Sequence, residues 1–124
     1  VTNIPDTLPP LLMDAARMRQ VFENLIDNSA AVLSPGGIVT IRATPVEHGG
    51  RSWIECTVED DGPGFDAESM DRAFEPFFTK RQGGTGLGLS IVQRIVEEHA
   101  GKALVSNAPG SGALIRIRLP AAET

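Results

Sequence analysis

Between positions 83 and 88 the chain places four glycines, and it then becomes a helix-periodic run, Leu89-Ser90-Ile91-Val92-Gln93-Arg94-Ile95-Val96-Glu97-Glu98-His99. Leu87, Ile91 and Ile95 recur every four residues, as do Gly88, Val92 and Val96, which draws one apolar stripe along a helix. A stretch so rich in glycine forgoes side-chain contacts and carries a large conformational entropy cost. In return it exposes backbone N–H groups at a helix start, and those make an anion site. A polyphosphate is the anion such a loop suits best; a glycine loop that merely caps a core helix is the plainer alternative. Spacing excludes two familiar phosphate motifs. No lysine follows these glycines as the P-loop requires, and their order is G-x-G-x-G rather than the G-x-G-x-x-G of a dinucleotide site.

The size of the chain, 124 residues, suits one domain spanning 1–124 with a real hydrophobic core. Its net charge of −5 argues against a nucleic-acid surface or an anionic membrane as partner. The single cysteine, Cys56, rules out an internal disulfide framework and points to a reducing compartment. No apolar run approaches the ~20 residues that span a bilayer, and nothing resembles a signal peptide. A cytoplasmic domain, cut from something longer that can itself be membrane-anchored, is the expectation.

Prolines 5, 9 and 10 keep residues 1–13 extended, with Leu11-Leu12-Met13 as or beside an edge strand. Asp14 stands at an N-cap, and from Ala15 the stripe Met18, Val21-Phe22, Leu25-Ile26, Ser29 and Val32-Leu33 reads as a helix that Ser34-Pro35-Gly36-Gly37 stops. Asn24 and Asn28 lie one turn apart on its polar side. Residues 38–44 alternate as a strand, Pro45 to Ser52 reads as a turn, and Trp53 to Asp60 as the returning strand. Ile54, Cys56 and Val58 share a face, and the two-residue period puts Asp60 on that same apolar face. A buried carboxylate must find a donor. Asp66 to Phe74 reads as a short helix, Gly101 as the C′ stop of the long one, and Lys102–Asn107 with Gly112–Leu119 as a final hairpin. Helices segregated over a hairpin-built sheet make an α+β, two-layer sandwich, a mixed sheet of about five strands covered on one face by about three helices.

Paired asparagines on a helix, an inward Asp before Gly-x-Gly, a Phe-rich loop and a glycine-rich helix start together resemble the catalytic ATP-binding domain of sensor histidine kinases. That superfamily includes gyrase, heat-shock chaperones and mismatch-repair ATPases. Asn24-Leu25-Ile26-Asp27-Asn28 is similar to the N box, and Asp60-Asp61-Gly62-Pro63-Gly64 to the first glycine box. Phe74-Glu75-Pro76-Phe77-Phe78 is similar to the F box, and Gly84-Thr85-Gly86-Leu87-Gly88-Leu89 to the second glycine box. Each box alone is weak, but four in order over nearly the whole chain are specific.

The resemblance implies a Bergerat fold holding Mg-ATP under a lid that is short, as in nitrogen-sensor kinases. It makes Asn28 the oxygen ligand of Mg²⁺ and Asn24 the residue that orients phosphate or a metal-bound water. Asp60, acceptor-only when ionised, would take the amino group of adenine, with Gly62 and Gly64 letting backbone approach the base. Lys80 would reach a phosphate as a point charge, and Gly84, Thr85, Gly86, Leu87, Gly88 and Leu89 would hold the triphosphate. Asn24, Asn28 and Lys80 are thus the catalytic candidates. The implied partners are the helical dimerisation and phosphoacceptor domain of the same protein and a response regulator.

The chain departs from the family pattern at several points. Ala30-Ala31-Val32 follows the second asparagine where a basic–aromatic pair is common, and Ala113 replaces a threonine near the base. No phosphoacceptor box is present: His48 sits beside Gly49-Gly50 and His99 at a helix end, neither of them a catalytic candidate. Trp53 and Cys56 read as strand residues, and Phe74 and Phe77 as anchors. Two other functions fit the boxes, a gyrase- or chaperone-type ATPase and a nucleotide-sensing docking module that does not transfer. In the hydrolysing relatives a glutamate one turn before the metal asparagine activates water. Asn24 holds that place here, and the neighbouring Glu23 is rotated ~100° away.

Overall fold

The alternating and helix-periodic runs form elements close to where the residue pattern puts them. The computed structural model describes residues 2–3, 15–32, 36–78, 88–110 and 112–121. Among these, β1 (Thr2–Asn3), α1 (Ala15–Val32), β2 (Val39–His48), β3 (Arg51–Asp60), α2 (Ala67–Arg72), α3 (Gly88–Glu98), β4 (Lys102–Asn107) and β5 (Ala113–Pro120) follow in order. They build one sheet in the order β1-β2-β3-β5-β4. β1 runs parallel to β2 and every other pair is antiparallel, so the sheet is mixed, and the α+β class holds.

One face of the sheet carries Ala43, Ile54, Cys56, Val58, Ala103, Ile115, Ile117 and Leu119, all buried. Against it pack Met18, Val21 and Leu25 of α1 and Leu89, Val92, Ile95 and Val96 of α3. Each fully buried aliphatic side chain contributes about 1.5–3 kcal/mol, so this layer dominates stability. The other face is charged. Glu55 lies 2.8 Å from the Arg118 guanidinium and 3.8 Å from that of Arg116, across the β3–β5 register that pairs Glu55 with Arg118. The short helix α2 buries none of its own residues; Asp66 caps it by accepting from the Ser69 N–H at 2.7 Å, and the core meets Ala73 and Phe74 just beyond it.

Two expectations need correction. The segment 45–52 is not one long turn: β2 continues through Pro45 to His48, and only Gly49-Gly50, at φ +61° and +76°, make the reversal. Two successive positive φ angles are what a two-residue hairpin requires. Pro45 is tolerated because, among the described residues, β1 pairs only with Ile41 and Arg42 and leaves β2 an edge farther along. Nor is Gly101 the left-handed residue that ends α3. Ala100 takes that conformation at φ +61°, with Gly101 N–H bonded to Val96 O at 2.8 Å and Ala100 N–H to Glu97 O at 3.0 Å. Gly101 is glycine for space, since a Cβ there would lie 2.3 Å from the Arg118 carbonyl oxygen. The strand expected at Leu11–Met13 and the Asp14 cap lie outside the described residues.

Candidate functional site

The start of β2, the end of β3, the end of β4 and the start of β5 meet at one end of the sheet. Arg17, near the start of α1, is ion-paired with Glu98 at the end of α3, so the two helices run antiparallel. Arg17 to Asn28 is about 16 Å of helix and Gly88 to Glu98 about 15 Å, so α1 carries Asn24 and Asn28 away from this ion pair, toward the end where α3 begins. After α1 the chain enters β2 at Val39, whose register partner is Asp60, the last residue of β3. The corner is closed by Asp61, whose Oδ1 accepts from Ile38 N–H at 2.9 Å. β4 ends and β5 begins here as well, with Asn107 opposite Ala113.

Asp60 is only 3% exposed, as its place in the strand alternation predicts. Its donors are backbone: Oδ1 accepts from Gly62 N–H at 3.0 Å and from Ala113 N–H at 3.1 Å. The second contact exists because Gly112, at φ +104°, lets the β4–β5 turn close on Asp60; a Cβ at Gly112 would fall 1.8 Å from the Asp60 carbonyl oxygen. Gly64, at φ +78°, is crowded by the protein itself, since a Cβ there would meet Asn107 Oδ1 at 2.8 Å and Gly112 O at 3.1 Å. Asn107 in turn grips the loop: its Oδ1 accepts from Phe65 N–H at 2.7 Å and its Nδ2 donates to Phe65 O at 3.0 Å. Asn107 did not stand out in the sequence, and Gly112 entered only as the start of the last strand beside Ala113.

The α1 wall is different. Asn24 and Asn28 are both partly buried, while Glu23 and Asp27 are exposed. The Nδ2 of Asn24 is buried and has no hydrogen-bond partner among the described residues. A buried amide donor without a partner costs about 1–3 kcal/mol, so this atom is shaped for an acceptor. Gly88 opens α3 with no atom of the described residues near the place of a Cβ, and Leu89, 8% exposed, belongs to the core, leaving only its backbone to face a ligand. Lys80, Gly84, Thr85, Gly86 and Leu87 lie outside the described residues.

The remaining reactive side chains stand elsewhere. His48 is exposed at the hairpin end of β2, opposite Asp60, and its carbonyl accepts from the Trp53 indole at 3.3 Å. His99 closes α3 at the far end from Gly88, with Nδ1 2.7 Å from the Ile95 carbonyl oxygen. Cys56 is buried mid-strand; burial, then the Glu55 charge, push its thiol up to about 11, which removes it as a nucleophile. Phe74 packs on the core, whereas Phe77 is 75% exposed at φ +68° and the Arg72 guanidinium covers the Phe78 ring at 4.4 Å.

Residues 13–123 match the family model described as histidine kinase-, DNA gyrase B- and HSP90-like ATPase. The sensory histidine kinase/phosphatase NtrB of Rhodobacter capsulatus is 39% identical over 131 residues, covering 98% of this chain. The chain spans 37% of the length of that relative. Among solved structures, the nucleotide-free catalytic domain of the histidine kinase ThkA superposes with a TM-score of 0.84 at 28% identity, over 97% of this chain and 76% of that one. Full-length ShkA in complex with AMPPNP gives a TM-score of 0.78 at 28% identity, over 100% of this chain and 26% of ShkA.

Proposed function

The chain belongs to the histidine kinase-, DNA gyrase B- and HSP90-like ATPases, as the histidine-kinase type of domain found in two-component sensors, and from that premise we propose that it binds Mg-ATP at the Asn24–Asn28–Asp60 end and donates the γ-phosphoryl to a histidine on a separate helical dimerisation domain. The observation that carries this reading is Asp60. It is a buried carboxylate whose Oδ1 is held by two backbone amides, so that Oδ2 can accept from the exocyclic amine of adenine. The carbonyl of guanine would instead face a negative acceptor.

The residues fit the metal and phosphates. Asn28 offers a hard amide oxygen, and Asn24 has a buried N–H suited to a phosphate oxygen. Among the described residues no cluster of three His, Cys, Asp or Glu side chains could cage a cation. A Mg²⁺ held mainly by phosphates and water suits that donor set. When bound, it supplies charge neutralisation at the phosphates. Lys80 and the run Gly84, Thr85, Gly86, Leu87, Gly88 and Leu89 complete the phosphate end in this reading. The incoming histidine nitrogen attacks the γ-phosphorus, the bond to the β–γ bridging oxygen breaks, and ADP leaves. The part of this chain is to position and exclude water.

Transfer is favoured over hydrolysis by α1. The position one turn before Asn28 is Asn24, a neutral amide that cannot act as a base, and Glu23 is turned out to solvent. The whole chain, 1–124, is read as this one catalytic domain, working with a phosphoacceptor domain and a response regulator. No helix among the described residues is long and apolar enough to cross a membrane; we read the domain as cytoplasmic. The test uses γ-labelled ATP. The chain alone should bind Mg-ATP, turn it over very slowly and remain unlabelled, and a histidine-bearing helical hairpin added in trans should become labelled. Steady hydrolysis by the chain alone, abolished by Glu23→Gln, would promote the ATPase reading instead.

A further inference from the structure

We infer that Asn107 is a positioning residue for base recognition, holding Asp60 and its loop in register from 42 residues away; this rests on the nucleotide reading above. The segment Asp61-Gly62-Pro63-Gly64 that follows Asp60 lies outside any helix or strand; its start is held by Gly62 N–H on Asp60 Oδ1 and by Asp61 on Ile38, and its far end leans on the β4–β5 hairpin. A carboxylate that chooses between an amine and a carbonyl needs a fixed direction, and the β4–β5 turn supplies it at two points. At the front, Ala113 N–H holds Asp60 Oδ1. At the back, the Asn107 amide pairs with both the N–H and the C=O of Phe65, as a neighbouring strand would. Gly64 and Gly112 are pressed between these two points, and Ala108 N–H closes the turn onto Gly112 O at 2.9 Å.

Asn107 is itself exposed, so it adds little to the buried core. Its worth lies in geometry. Two hydrogen bonds that join distant segments fix the loop against the hairpin, and through it the direction in which Asp60 and Gly62 face a base. A purely structural role would weaken every ligand alike. A positioning role acts only through the group that Asp60 reads.

The experiment compares Mg-ATP with the triphosphate of purine riboside, which lacks the 6-amino group, by calorimetry on the unsubstituted chain and on Asn107→Ala. Loss of the clamp should weaken Mg-ATP about tenfold, the effect of losing the alignment of one good hydrogen bond, and leave the purine analogue within about twofold. Asn107→Asp keeps the volume and the bond from Phe65 N–H but cannot donate to Phe65 O, and should show the same split should the alanine variant fold poorly. Unchanged Mg-ATP affinity in both variants, or equal losses for the two nucleotides, overturns the inference. Failure of the unsubstituted chain to bind Mg-ATP at all overturns the nucleotide reading itself, and that result is separate because it needs no variant.

Discussion

Asp60 and Asn24 are both polar side chains drawn out of water beside the same core, and the protein treats them in opposite ways. Asp60 is bonded by Gly62 and Ala113, and the glycines around it are crowded to within contact of their neighbours. Asn24 holds a buried N–H with no partner among the described residues. The first arrangement fixes the carboxylate through Oδ1 and, in the proposed reading, leaves Oδ2 to select a ligand by shape and charge. The second is a standing cost that only an acceptor such as a phosphate oxygen relieves. In the proposed reading, selectivity resides in the sheet end and binding energy for the phosphates in the helix wall.

The largest test of the rigid half is Gly112→Ala. A left-handed φ and a 1.8 Å clash with the Asp60 carbonyl act together, so urea unfolding should show a loss of about 4 kcal/mol. Gly110→Ala, two residues away at φ +90° but with none of the described residues near a Cβ, should lose only about 1–2 kcal/mol. Equal losses at the two positions would mean that the turn does not press on Asp60.

Next in size is Asp60→Asn. The amide oxygen can still accept from Gly62 and Ala113, so the fold should weaken by only about 1 kcal/mol. Base reading should fail, with Mg-ATP affinity down roughly a hundredfold, about 3 kcal/mol. In the unsubstituted chain GTP should be rejected by about 10⁴–10⁵. Comparable binding of GTP and ATP would separate Asp60 from the base.

A third polar group, the Cys56 thiol, extends the comparison because it is buried and stays neutral. Its pKa rises from 9.0 to about 11 on folding, by burial first and the Glu55 charge second. Between those values the unfolded chain has released a proton that the folded chain keeps, so the stabilisation is full below pH 9 and is lost as pH rises through 11. Denaturation at pH 8 and pH 11 should differ by about 2 kcal/mol from this group, and Cys56→Ala should remove that difference.

Much of this division could be seen in the residues beforehand. Alternation in β3 put Asp60 on the apolar face, and helical spacing put Asn24 and Asn28 together, because both periods are local properties of the chain. Asn107 and Gly112 were not legible in the same way. Their importance comes from pairing β4–β5 against the loop after β3, contacts 42 and more residues apart that no local pattern announces. The Pro45 error had a different origin. The glycines mark a turn but not how short it is; β2 runs on through Pro45 because an edge strand accepts proline, and the edge is a property of the assembled sheet. Gly101 was assigned to the wrong constraint for a similar reason: the carbonyl that forbids its Cβ belongs to Arg118 on β5.

The most direct measurement pairs two quantities in one variant, Asn24→Ala: unfolding free energy without nucleotide, and Mg-ATP affinity. Alanine removes a buried donor that has no partner among the described residues and is the better helix former, so the empty protein should gain about 0.5 kcal/mol or more. Mg-ATP affinity should fall at least about tenfold, because the phosphate loses its buried partner. A destabilised empty protein that still binds Mg-ATP normally would contradict the account, since Asn24 would then serve the fold and not the phosphate.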